Sequence, residues 1–195
     1  MLIGTILSQN TSAVNSSRAF QSLKAAFPKW QALAGARAAA IASTIRSAGL
    51  SRTKAPRIRA IVQHLLRERG KADLEFLDRM PQRKALDYLT SLPGVGQKTS
   101  SCVLLFAFDK PLLPVDTHVH RLSKRLGLVH ERAAPEQTQQ ALEKIVPPRR
   151  RHSLHINLIA HGRAVCRPSP RCDQCALLAL CPYGKAHVKG RRKSA

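Results

Sequence analysis

Residues 92–108 read LPGVGQKTSSCVLLFAF, and how this stretch divides decides the fold. Taken alone, the apolar run Cys102–Phe108 suits a buried strand as well as a buried helix, because an unbroken hydrophobic run carries no period. Its neighbours settle the matter. Pro93-Gly94-Val95-Gly96 is a tight turn between two helical stretches, 81–90 and 97–108, so the run continues the second helix into a core. Asp109-Lys110-Pro111 ends that helix, and 111–115 reads as a connector between two helical lobes.

Outward from this hairpin the apolar spacing is helical nearly everywhere. Phe20, Leu23 and Phe27 fall on one face, with Ser12 placed to cap that helix and Pro28 to end it. Ile58, Ile61, Val62, Leu65 and Leu66 form a stripe closed by Gly70. Pro81 opens the next helix at its first position, where Leu86 and Leu89 face inward. Val119, Leu122 and Leu126 repeat the pattern after Asp116, and Gly127 supplies the stop. Leu142 with Ile145, then Leu154 with Leu158, mark two more helices. No alternating strand and no repeat of fixed period is visible. The expected fold is all-α.

The charge narrows the function. The chain of 195 residues has 33 Lys plus Arg against 11 Asp plus Glu, a formal charge of +22, which favours a polyanionic partner through phosphate neutralisation and counterion release. Solubility alone needs far less charge. A membrane surface would call for a basic helix with a bulky aromatic face, and none is seen. No apolar run is long enough to span a bilayer. The opening MLIGTILSQN lacks the basic leader and small-residue cleavage site of a signal peptide. No acidic residue precedes Glu68, and the terminal KGRRKSA reads as a mobile basic tail.

Two glycines in the hairpin let its backbone approach another backbone closely, and the helix that follows offers unpaired N–H groups to an anion. Such a turn would hold a DNA phosphate through Leu92, Gly94, Val95 and Gly96 without reading sequence. A purely structural helical corner has the same residues. The surroundings discriminate: LPGVGQKTS, followed by Asp116 in VDTHVHR, together with ILSQNTS at the start, GLSRTKA and a final cysteine group, resembles the endonuclease III family of helix–hairpin–helix DNA glycosylases.

That resemblance implies a six-helix lobe bearing the hairpin (1–110), a helical lobe with the cysteine centre (111–184), an active-site cleft between them and a basic tail (185–195). Lys98 matches the family's catalytic lysine and Asp116 its catalytic aspartate. A neutral amine can attack the sugar C1′ and form a Schiff base, which makes β-elimination of the 3′ phosphate possible. A carboxylate can steady the positive charge that develops on the sugar as the base leaves. Read without the family, the same two residues are a surface lysine and an ordinary helix N-cap. The resemblance also implies that Gln9 is inserted near the flipped nucleotide, that Leu50 wedges into the opposite strand, and that His118 lines the cleft; a structural hydrogen bond is the equal alternative for His118. The lysine implies a bifunctional enzyme, a glycosylase with AP lyase activity on double-stranded DNA with damaged bases or abasic sites, and the family resemblance alone implies oxidised pyrimidines as the lesion. The rival is a non-catalytic DNA-binding module that keeps hairpin and cysteines as scaffold. Gln97, Ser101 and His120 depart from the usual family pattern, which bears on lesion choice. The family usually has a further segment ahead of the ILSQNT helix. The expected protein is a monomer that works with intracellular DNA in the cytoplasm or nucleoid, away from membranes.

Cys166, Cys172, Cys175 and Cys181 have the spacing C-x5-C-x2-C-x5-C, while Cys102 lies in the apolar helix as a small hydrophobe. Disulfides do not suit a basic, signal-less chain expected on intracellular DNA. Four such thiolates suit either a [4Fe–4S] cluster or a structural zinc, for which His152, His155 and His161 are spare ligands. The resemblance implies the iron–sulfur cluster, with one departure: its first gap usually has six residues, and here it has five.

Overall fold

A computed structural model gives the fold, describing residues 1–193 and, to Gly190, their side chains. Among the described residues every regular element is helical, with eleven α-helices joined by loops and short 3-10 turns. None is long and apolar enough to cross a membrane. The chain divides into two compact units, Met1–Lys110 and the residues from Pro111 onward.

The first unit contains α1 (Leu2–Ser8), α2 (Ala13–Ala26), α3 (Ala32–Gly35), α4 (Ala38–Thr44), α5 (Ser51–Arg69), α6 (Gln82–Ser91) and α7 (Gln97–Phe108). Six of these have seven residues or more, and α3 is a single turn. Ser12 caps α2 by accepting from the Asn15 N–H at 3.2 Å, a contact worth about 1 kcal/mol. Gly70 ends α5 at φ +70, where side-chain-bearing residues are strained. The α5 stripe of Ile58, Ile61, Val62 and Leu65 is buried. Pro81 stands one residue earlier than its spacing suggested, as the N-cap of α6, with Leu86 and Leu89 buried behind it.

The centre of this unit is α7. Its residues Thr99 to Leu105 are all buried, so the first part of the apolar run is a helix covered on every side and not a strand, while Ala107 beyond it is exposed. At about 1.5–3 kcal/mol per fully buried large apolar side chain, Val103, Leu104 and Leu105 anchor α7 firmly. Lys98 stands one turn ahead of them.

The second unit has α8 (Thr117–Arg125), α9 (Pro135–Ile145), α10 (Arg151–Ala164) and α11 (Pro182–Lys193). Leu113, Val115, Val119, Leu122, Leu142 and Leu158 form its core, with Leu126 and Leu154 packed against them. Gly127 stops the α8 segment at φ +72. Within the stretch expected as a basic tail, 185–195, residues up to Lys193 continue α11, which packs against the loop carrying Cys172 to Gln174. Ser194 and Ala195 lie outside the described residues. The sequence hid this helix because Lys189, Arg191, Arg192 and Lys193 follow one another with few apolar residues between them, a pattern that also marks a tail.

Candidate functional site

The hairpin before α7 is a single turn, closed by the Val95 N–H donating to the Leu92 carbonyl at 3.1 Å. Pro93 takes the second corner and Gly94 the third at φ +72, the arrangement a type II turn demands. Leu92 and Val95 are 2% and 3% exposed, so their side chains root the turn in the core and only their backbone is available to a ligand. A Cβ on Gly94 would stand 2.4 Å from Arg57 Cδ, so the Arg57 side chain lies directly over this glycine. A Cβ on Gly96 would meet nothing within 4 Å.

Gly96 is the N-cap of α7, and no side chain caps the helix there. The first backbone bond of the helix runs from the Ser100 N–H to the Gly96 carbonyl at 3.0 Å. The N–H groups of Gln97, Lys98 and Thr99 therefore precede the ladder, at the positive end of the helix, where an anion is favoured. Lys98 is exposed.

Gln9 ends α1, and its Nε2 donates to Thr99 Oγ1 at 3.1 Å, which ties the Gln9 side chain to the residue after Lys98. Leu50 lies ahead of α5 with φ +49 and ψ +31 and is 58% exposed, an uncommon conformation for a bulky apolar residue in solvent. Lys54, counted in the sequence with the general basic field, is buried. Its Nζ donates to the carbonyls of Leu7, Gln9 and Ala48 at 3.0, 2.6 and 2.8 Å. Burial pulls its pKa below the usual lysine value. Its position was a readable signal, since 54, 58, 61 and 65 fall on one helical face.

In the second unit Asp116 is the N-cap of α8, with Oδ1 accepting from the Val119 N–H at 2.8 Å. His118 packs against α10 so closely that a Cβ on Gly162 would stand 2.8 Å from His118 Nδ1. That nitrogen accepts from Arg121 Nη2 at 3.1 Å, and the same guanidinium donates to the Gly162 and Cys166 carbonyls. His118 is thus held within its own unit through this hydrogen bond. His155 is buried, its Nδ1 2.8 Å from the Pro114 carbonyl.

Cys166, Cys172, Cys175 and Cys181 line one cavity, walled also by Leu122, Leu126, Val165 and Leu178. Arg125 Nη1 donates to Cys166 Sγ and the Gly184 N–H to Cys181 Sγ, each at 3.3 Å. His161 Nε2 stands 3.5 Å from Cys175 Sγ. Burial pushes the Cys172 thiol up, and the three other cysteines add to the shift. Among the described residues no three His, Cys, Asp or Glu side chains have the arrangement to grip a single ion.

The profile of the HhH-GPD superfamily of base excision DNA repair proteins matches residues 3–148, most of the chain. Endonuclease III of Thermotoga maritima is 38% identical over 98% of this chain and 87% of its own length. The chain belongs to the endonuclease III family. Endonuclease III of Synechocystis is 35% identical, covering 95% of this chain and 81% of its own. A trapped endonuclease III–DNA covalent intermediate superimposes with a TM-score of 0.83 at 31% identity, over 96% of this chain and 84% of that one. A non-covalent endonuclease III–DNA complex gives 0.84 at the same identity and coverage. The protein is accordingly a base-excision-repair DNA glycosylase and AP lyase of the endonuclease III type. Its C-terminal cysteine group is consistent with the iron–sulfur centre of an endonuclease III homologue: four thiols share one apolar cavity and already receive N–H donors at two sulfurs.

Proposed function

We propose that this endonuclease III family member excises oxidised pyrimidines from duplex DNA through a Schiff base on Lys98 and then cuts the strand. The observation that carries the reading is the placement of Lys98: exposed, at the open start of a helix whose next seven residues are buried, directly after a turn with free backbone N–H groups. That combination offers a rigidly mounted amine beside a phosphate cradle.

The Lys98 amine attacks C1′ of the target sugar, and the C1′–N bond to the base breaks, the base leaving with a proton. Ring opening gives the protonated imine. Loss of a C2′ proton then expels the 3′ phosphate by β-elimination, and water releases the lysine. Asp116 supplies a carboxylate to the cationic sugar, its other oxygen being committed to α8. Gln9 and Leu50 occupy the duplex around the departed nucleotide, one through an amide that bonds base edges and the other through an apolar wedge. Cys166, Cys172, Cys175 and Cys181 would hold a [4Fe–4S] cluster, which when bound cross-links their loop as a structural brace. Four thiols gathered around one apolar cavity suit such a cluster.

Borohydride reduction on a duplex bearing an abasic site tests the reading. The wild-type protein becomes covalently attached to DNA, and Lys98→Gln abolishes attachment while most DNA affinity remains. Attachment at the wild-type level in that variant would mean that another amine does the chemistry.

A further inference from the structure

Lys54 is the only buried lysine, arginine or carboxylate among the described residues, at 2% exposure. An ammonium has three donors, and here each finds a main-chain carbonyl. The acceptors are not scattered. Leu7 and Gln9 lie at the end of α1, and Ala48 closes the 3-10 turn Arg46–Ala48. Carbonyls at such ends lack helical partners and form the negative pole of their element.

The two segments pinned in this way are the ones that carry Gln9 and Leu50. Each is also wound into the left-handed region just beyond its pinned carbonyl, at Asn10 (φ +52) on one side and at Gly49 (φ +66) and Leu50 (φ +49) on the other. Residues with side chains hold such conformations only where the surroundings over-determine them. Without the ammonium, two buried carbonyls and one half-buried one would lose this shared donor, and both segments would be free to relax. Arginine would not substitute, because a planar guanidinium cannot aim three bonds at acceptors grouped around a tetrahedral nitrogen.

We propose that Lys54 is a positioning residue which holds Gln9 and Leu50 at a fixed separation, so that both enter the duplex together when the target nucleotide leaves the stack. This rests on the glycosylase reading above. It assigns Lys54 no contact with DNA and no part in bond breaking. Its contribution is preorganisation: the two probes meet the duplex as one rigid fork instead of two loops that must be ordered during binding.

Two substrates separate this from a general loss of structure. A single-stranded oligonucleotide with an abasic site reports Lys98 chemistry with no stack to open, by borohydride trapping. A duplex with 2-aminopurine beside an oxidised pyrimidine reports extrusion by fluorescence. Lys54→Met and Lys54→Arg should trap the single strand within about twofold of wild type, whereas their preference for damaged over undamaged duplex falls about tenfold, as expected when a charged hydrogen-bond centre is lost. A lowered melting temperature with unchanged extrusion and preference would make Lys54 merely structural and overturn the proposal. Should both variants fail to fold, the cycle Gln9→Ala, Leu50→Ala and the double variant decides it in the wild-type Lys54 background: a rigid fork gives non-additive losses, and strictly additive losses overturn the proposal. Wild-type protein that fails to trap the single strand would refute the glycosylase reading instead.

Discussion

Gly94 and Gly96 sit two residues apart, yet an added methyl should act on different properties at each. At Gly94 the backbone has φ +72, and an L-residue there costs about 1–2 kcal/mol. The new Cβ would also stand 2.4 Å from Arg57 Cδ, so the arginine must swing aside, which a long flexible side chain does cheaply. Reduced freedom of the unfolded chain offsets about 0.4–1 kcal/mol of this. The net loss for Gly94→Ala is therefore about 1 kcal/mol, a fall of about 2–4 °C in melting temperature for a chain of this size. Gly96 has φ −95 and ψ 176, which alanine adopts freely, with open space around it. Gly96→Ala should keep its stability within about 0.5 kcal/mol. A methyl at that open face blocks the approach of a phosphate to the α7 amides, so affinity for undamaged duplex should drop about tenfold, the worth of one charge-assisted hydrogen bond. Urea unfolding measures the first effect and fluorescence anisotropy at fixed salt the second. If Gly96→Ala binds DNA like the wild type, the α7 amides hold no phosphate. If Gly94→Ala is as stable as the wild type, the turn does not require its left-handed corner.

Asp116→Asn keeps a good cap for α8, so stability should hardly change while single-turnover base release slows; an unchanged rate would remove Asp116 from the chemistry. Purified protein should be yellow-brown with about four irons per chain, and colourless protein with one zinc would assign the cysteines to a structural zinc. Binding to undamaged duplex should weaken with salt at a slope near −0.9 per phosphate contacted. Leu50→Ala should lower lesion preference without altering that slope, and an unchanged preference would show that the wedge is elsewhere.

The parts of the molecule that could be read from the sequence are those where large apolar side chains repeat or a cap is spelled out. Ser12 before α2, Asp116 before α8 and the stripe of α5 are of this kind, and the start of α7 after Gly96 follows from turn chemistry. The stretch Ala32–Thr44 went unread because α3 and α4 are built mostly of alanine, with only Leu33 and Ile41 to mark the buried side. Small residues pack well but leave no periodic trace. The proposal of Lys98 and Asp116 rests on motif order, since neither burial nor bonding distinguishes them from an exposed lysine and a cap. Lys54 was overlooked for the opposite reason. Its charge placed it among the surface cations, and only the side of the helix on which it falls reveals a group enclosed by carbonyls.

The enclosure of α7 has a bearing on how this protein can fail. Local opening events arise where few apolar groups must be exposed, at chain ends and loosely packed loops. Lys98 is joined without a break to seven buried residues, so no cheap local opening can carry its backbone away from its station. Peptide-group exchange along Ser101–Leu105 can proceed only through opening of the surrounding unit. On the proposed role of Lys98, loss of the fold around α7 should therefore end borohydride trapping at the same temperature.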